Sequence, residues 1–190
     1  MNVRLIQNKE VSLIKQLADE SFGKDYITTI DILSHLNSTD KFAFCLFDKQ
    51  EFIGFLFLKT YSNNLIQNYF LTQKDWFKNY FKSTKTIAVV TQIALTKKYR
   101  QQKLSTLLLH SSIEFIQTKC DTIISVCWIK KETNNMKFLL LNNGFKNIKT
   151  LPNYWLNDSI EKGYCCEICG TPPCQCGAEV FELIPLGQTI

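Results

Sequence analysis

The sequence predicts a mixed α/β domain: a central twisted β-sheet flanked by helices, with a small metal-bound hairpin near the C-terminus. Three observations carry that expectation. β-Branched and aromatic runs of strand length alternate with segments whose apolar residues recur at helical spacing. A strand, a polar turn and a helix follow one another twice in the second half, over 86–116 and again over 121–142. Five of the eight cysteines crowd between Cys165 and Cys176. With 190 residues, 45% hydrophobic and 21% charged, the chain can bury a core of its own, so residues 1–190 read as one domain that includes the metal-binding segment 165–177.

Charge and composition narrow the classes further. The net charge of +5 is mild and the lysines are spread along the chain, so a nucleic-acid footprint is not expected. The opening MNVRLIQNKEV has no apolar run of signal-peptide length. The run around Phe52 to Leu58 is strand-sized and contains Gly54, so neither secretion nor membrane spanning is expected and the chain reads as cytoplasmic. Cys45, Cys120 and Cys127 stand singly in apolar segments, where a thiol behaves as a small buried hydrophobe.

In chain order, Val3 to Ile6 reads as a first strand. Val11, Ile14, Leu17, Ala18 and Phe22 then recur at helical spacing behind Asn8 as N-cap. Ile30 to Leu36 reads as a short second helix. Lys41 to Phe47 and Phe52 to Lys59 make a hairpin across the polar turn Asp48 to Glu51. Tyr61 to Ser83 is rich in Asn, Gln and aromatics and reads as an insertion or long connection. Its aromatics, among them Tyr69, Phe70, Trp76 and Phe77, are expected in a core, with a contact surface as the alternative. Thr86 to Leu95 has the β-branched, apolar make-up of a central strand, and Leu104 to Ile116 that of a packed helix. Asp121 to Trp128 is a further strand and Asn134 to Asn142 a further helix, stopped by Asn143-Gly144 before Phe145. Ala178 to Leu186 alternates as a last strand, ended by Pro185 and Gly187.

Two segments carry a resemblance. Val89 to Leu95 leads into Tyr99-Arg100-Gln101-Gln102-Lys103-Leu104-Ser105, and Asn134 to Phe145 is a helix closing on Gly-Phe. Together with the order β-α-α-β-β-β-α-β-α-β-β, they resemble the GNAT family of N-acetyltransferases over nearly the whole chain. The family's pyrophosphate loop, Arg/Gln-x-x-Gly-x-Gly/Ala, is matched at Arg100, while Lys103 and Ser105 stand at its two glycine positions. A helix N-terminus attracts an anion through its unpaired backbone N–H groups, and glycine only eases the approach. Lys103 adds a cation and Ser105 a small hydroxyl; the plain alternative is a solvated polar turn before a core helix. The resemblance implies that acetyl-CoA binds over Arg100, Gln101, Gln102, Lys103, Leu104 and Ser105. It also implies that the backbone of Ile93, Ala94 and Leu95 pairs with the pantetheine arm, and that Asn134 lies near the thiol end, helix capping being the alternative for Asn134.

Two positions depart from the family's catalytic pattern. Leu140 stands where many members have a tyrosine, and Gln92 where an acid on the central strand is frequent. Gln92 can orient a water or an amine but cannot accept a proton. Tyr154, in Asn153-Tyr154-Trp155, is the nearest alternative phenol, with packing beside Trp155 as the plain reading.

Cys166, Cys169, Cys174 and Cys176 lie within eleven residues, and Cys-x-x-Cys-Gly is a turn that aims two sulfurs at one metal. Zinc favours four tetrahedral thiolates, and so closed a set is structural. Disulfides or an iron–sulfur cluster are the alternatives; the adjacent Cys165 and Cys166 fit disulfides poorly. The expected activity is acetyl transfer from acetyl-CoA to an amine. Amino acid, polyamine, antibiotic, protein N-terminus and lysine all remain open as acceptors, as does the oligomeric state. A non-catalytic GNAT-fold module binding acyl-CoA, protein or RNA through the zinc hairpin is the second reading.

Overall fold

The computed structural model describes residues 1–129, 135–166 and 168–185, and its contacts gather into two compact units. The first comprises Met1–Thr60 and Ala88–Lys119, the second Tyr61–Ile87 and Cys120–Ile190.

In the first unit, strand β1 (Asn2–Leu5) is followed by helices α1 (Val11–Phe22) and α2 (Thr29–Leu33). Strands β2 (Lys41–Asp48) and β3 (Glu51–Ser62) then lead on to β4 (Thr86–Leu95) and helix α4 (Leu104–Ile116); helix α3 (Lys74–Tyr80) lies in the second unit. The sheet order here is β1-β2-β3-β4, with β1–β2 and β2–β3 antiparallel. Alternation along β2 decides what covers each face. Ala43, Cys45 and Phe47 join the core built by Ile14 and Leu17 of α1 and Ile32 of α2. Phe42 and Phe44 point the other way and meet Phe115 of α4 edge-on, each at 5.3 Å between ring centroids. Both faces are therefore covered, which is why β2 and β3 read as nearly unbroken apolar runs.

Helix starts differ from the sequence expectation by a residue or two. Asn8 is not the cap: a 3-10 turn over Asn8–Glu10 precedes α1, and the extended Gln7 donates its N–H to the Glu10 carboxylate at 2.6 Å. Glu10, 1% exposed, also takes two hydrogen bonds from Arg4, at 2.8 and 3.2 Å. α2 begins at Thr29, where Thr28 and Asp31 cap one another, and ends at Leu33, short of the expected Leu36, because His35 and Leu36 N–H turn to the carbonyls three residues back.

The second unit orders its strands β5 (Thr122–Trp128), β7 (Ala178–Leu183), β6 (Lys146–Leu151), with β7 antiparallel to both neighbours. The C-terminal strand thus inserts between two earlier ones. It ends at Leu183, short of the expected Leu186, which lies outside the described residues. The aromatic connection folds into a 3-10 turn and α3, and Phe70, Phe77 and Phe81 are fully buried as expected, whereas Tyr69 and Trp76 are half-buried and Tyr80 is exposed. Tyr80 reaches β7 and donates to Glu182 at 2.8 Å. Helix α5 (Asn135–Asn142) is followed by Gly144 at φ +82°, and Lys137 on the helix pairs with Glu179 of β7 at 2.8 Å. The long β6–β7 connection, which sequence periodicity left without structure, holds helix α6 (Leu156–Lys162) and the cysteines. Cys45, Cys120 and Cys127 are buried, and burial pushes the Cys45 thiol up to about 12.

Candidate acyl-CoA loop and metal centre

The loop between β4 and α4 is built by backbone geometry. Arg100 is extended, whereas Gln101 and Lys103 both take left-handed φ, +63° and +58°. That region costs a side chain bearing a Cβ about 1–2 kcal/mol relative to ordinary backbone. Lys103, at the family's glycine position, therefore takes the conformation a glycine would take, and does so as the N-cap of α4. Among the described residues, the N–H groups of Gln101 through Ser105 donate to no backbone carbonyl. Those donors, at the start of a 13-residue helix, are what an anion requires. Lys97, Arg100 and Lys103 are exposed beside them.

Three contacts absent from the sequence reading hold this loop. Arg100 Nε donates to the Leu95 carbonyl at 3.0 Å, tying the loop to the end of β4 while the guanidinium keeps further N–H donors. Tyr99 donates its hydroxyl proton to Glu51 at 2.7 Å and Lys98 donates to the same carboxylate at 3.0 Å. The Tyr99 and Lys98 hydrogen bonds hold the Glu51 carboxyl below the usual range. Gly54 of β3 faces Ala94 and Leu95 so closely that a Cβ would collide with the Ala94 carbonyl oxygen and the Leu95 side chain. A glycine inside a strand pattern signals such an approach, so this contact could have been read in advance. Gln92 and Ile93 are half-buried near the end of β4, and Ala94 and Leu95 are buried. Asn134 lies outside the described residues.

In the second unit the four cysteine sulfurs all lie within 4.8 Å of one another. Cys166 to Cys176 is 3.8 Å, Cys169 to Cys176 is 3.5 Å and Cys174 to Cys169 is 4.0 Å. A zinc ion with bonds of about 2.3 Å to four tetrahedral thiolates sets its sulfurs about 3.8 Å apart. A disulfide requires about 2.05 Å, so these spacings match a metal and not cystine. Gly170, at φ +77°, turns the chain so that Cys166 and Gly170 exchange backbone hydrogen bonds of 2.8 and 2.9 Å. Ile168 N–H donates to Cys166 Sγ and Gln175 N–H to Cys169 Sγ, each at 3.4 Å, as donors do to thiolate sulfur. Burial works to raise the Cys166 thiol, but N–H groups of Cys169 and Ile168 hold it below its usual value. Burial carries Cys176 up to about 12. Four sulfurs with no oxygen ligand suit zinc or iron.

The cluster grips its surroundings through backbone. Tyr154 N–H donates to the Cys176 carbonyl at 2.9 Å, and Cys174 N–H donates to Ser159 Oγ at 2.8 Å. Tyr154 is buried, 4.9 Å from Trp155 in an edge-on pair, and its hydroxyl accepts from Leu71 N–H at 3.2 Å. Leu140, in the family's tyrosine position, is fully buried.

The fold matches known structures over nearly the whole chain. Arabidopsis thaliana NAA60 in complex with a bisubstrate analogue aligns with a TM-score of 0.72 and 13% identity, covering 98% of this chain and 99% of that one. The same enzyme in complex with acetyl-CoA gives 0.69 and 13% over the same shares. The ribosomal-protein-S18-alanine N-acetyltransferase from Escherichia coli gives 0.66 and 11%, covering 100% and 99%. A mutant of the spermidine N-acetyltransferase SpeG from Vibrio cholerae gives 0.64 and 14%, covering 97% and 95%. No sequence-family model and no curated protein matches the chain. Among the described residues no helix is long and apolar enough to cross a membrane. With seven strands and flanking helices among the described residues, and these neighbours, the chain has the fold of the GNAT N-acetyltransferases.

Proposed function

We propose that the chain is a single-domain, cytoplasmic, acetyl-CoA-dependent N-acetyltransferase acting on an amine, with a structural zinc held by Cys166, Cys169, Cys174 and Cys176. One observation carries the cofactor assignment. Non-glycine residues accept left-handed backbone at Gln101 and Lys103, and the N-terminus of α4 keeps its N–H donors uncommitted to backbone. Strain retained in a loop that glycine would relax marks a functional site. The pyrophosphate lies on Gln101 to Ser105 with Arg100 beside it, and the pantetheine arm runs along the backbone of Ile93, Ala94 and Leu95. Asn134 serves the thiol end. Support also comes from neighbours of this fold solved with acetyl-CoA and with a bisubstrate analogue.

The chemistry follows from the bond that forms. A neutral amine nitrogen attacks the thioester carbonyl, the carbon–sulfur bond breaks, the amine loses a proton and the CoA thiolate gains one. Gln92 orients the water that takes the first proton. Tyr154, whose hydroxyl accepts from Leu71 N–H, is the candidate donor of the second.

Thermal unfolding with acetyl-CoA, other acyl-CoAs and free CoA tests the binding step, because a ligand of the folded state raises the midpoint by mass action. Release of CoA thiol over a panel of amines then tests transfer. No shift with any acyl-CoA sinks the reading. A shift without transfer to any amine favours the second reading, a non-catalytic acyl-CoA-binding module, for which the buried Leu140 in the tyrosine position speaks.

A further inference from the structure

The four-cysteine centre sits where one backbone hydrogen bond separates it from Tyr154 and one side-chain bond separates it from α6. Cys176 contributes its sulfur to the cluster and its carbonyl to Tyr154 N–H at 2.9 Å. Cys174 contributes its sulfur and gives its N–H to Ser159 Oγ at 2.8 Å. Ser159 is fully buried and donates its hydroxyl to the Leu156 carbonyl at 2.8 Å, so that hydroxyl joins the first turn of α6 to Cys174. Tyr154 then holds the Leu71 N–H, 83 positions earlier, through its hydroxyl. The side chain of Leu71 is exposed, so that amide has few other means of protection.

Energetics decide which part of this chain of contacts leads. Neither α6, seven residues long, nor the turn before it is stable alone, since isolated helices shorter than about 12 residues are marginal in water. In a structural metal site the binding energy of the metal is folding energy, and it far exceeds the net contribution of any single hydrogen bond. We infer that the metal centre is the positioning element for the Tyr154 turn and, through the Tyr154 hydroxyl, for the Leu71 backbone. The site's role extends beyond closing its own loop. Zinc occupancy sets where the Tyr154 phenol stands. This rests on the zinc reading, and it is independent of whether acetyl-CoA is the cofactor.

Metal analysis of the full chain, purified without chelator, is the first arm and is expected to find one zinc per chain. No metal with all four thiols freely titratable overturns the zinc reading and this inference with it; iron in place of zinc overturns the zinc assignment alone. Amide hydrogen exchange is the second arm, read on the zinc-loaded chain and after removal by chelator or in Cys169→Ser. Exchange at Leu71, Tyr154 and Cys174 is expected to quicken at least about three- to ten-fold, the equivalent of one lost hydrogen bond. The β1–β2 pair Arg4 and Cys45 is expected to keep its protection. Zinc bound, and unchanged protection at Leu71 and Tyr154 once it is removed, overturns the inference while leaving the zinc site standing. Should the metal-free chain unfold altogether, zinc-loaded Tyr154→Phe decides. It is expected to retain one zinc and to lose protection at Leu71 but not at Cys174, and unchanged exchange at Leu71 overturns the relay.

Discussion

A Cβ on Gly54 would fall on the carbonyl oxygen of Ala94, so β3 and the end of β4 approach more closely there than any other residue type allows. That approach sets the backbone of Ala94 and Leu95, the segment proposed to face the pantetheine arm. Gly54→Ala is expected to cost about 2–3 kcal/mol, because the Leu95 side chain can swing aside but the Ala94 carbonyl oxygen is backbone and cannot. Thermal unfolding would show a fall of roughly 4–12 °C. Acetyl-CoA affinity is expected to fall as well, and a variant with wild-type midpoint and affinity would contradict the geometry.

Lys103 occupies left-handed backbone at the start of α4. Lys103→Gly is expected to stabilise the ligand-free chain by about 0.5–1 kcal/mol, the relieved strain less the entropy glycine brings. Affinity for acetyl-CoA should weaken modestly, and more at low salt than at high, since a cation near the phosphates is lost. Equilibrium unfolding together with titration at two ionic strengths separates the two effects.

Ser105→Glu places a carboxylate in the first turn of the same helix. Without ligand the change is expected to be neutral or slightly stabilising, since negative charge suits a helix N-terminus. With ligand it competes with the pyrophosphate, and acetyl-CoA affinity is expected to drop about ten-fold or more. Unchanged affinity would move the phosphates elsewhere.

Glu10 answers to pH. Burial works to raise its carboxyl, but hydrogen bonds from Arg4 and from Gln7 N–H outweigh burial and hold it below the ordinary carboxylate value. A carboxyl depressed in the folded state contributes stability above its unfolded pKa of about 4.3, lost as pH falls through the folded value. Glu10→Gln is expected to cost about 2–3 kcal/mol at neutral pH, since it leaves the partly buried Arg4 without its counter-charge. Denaturant titrations of both proteins should converge once pH falls below the depressed folded-state value of Glu10. A gap that persists at low pH would assign the loss to packing.

Tyr154→Phe keeps the ring against Trp155 and removes the hydroxyl. Once an acceptor amine is in hand, turnover is expected to fall about ten-fold or more with acetyl-CoA affinity nearly unchanged. Wild-type turnover would leave Gln92, Asn134 and bound water as the candidates for proton transfer.

Periodicity and residue type by themselves determined the α/β class, the bounds of β4 and α4, and the clustering of four cysteines. These are local matters. Thr86 to Leu95 can bury both faces only as a central strand, and Cys-x-x-Cys-Gly closes its turn whatever lies around it. Tertiary structure alone decided the rest. α6 has too few apolar residues to declare itself, and it persists because Ser159 is tied to Cys174 from outside the helix. The place of β7 between β5 and β6 depends on pairing with residues 50–60 and 27–36 positions away, which alternation along β7 does not specify. Lys103 reads in sequence as a glycine lost, yet its backbone adopts the glycine's conformation because Arg100, Tyr99 and Glu51 hold the loop around it. Nor does any local pattern join Tyr154 to Leu71, since a hydrogen bond over 83 residues is chosen by the fold that delivers both ends.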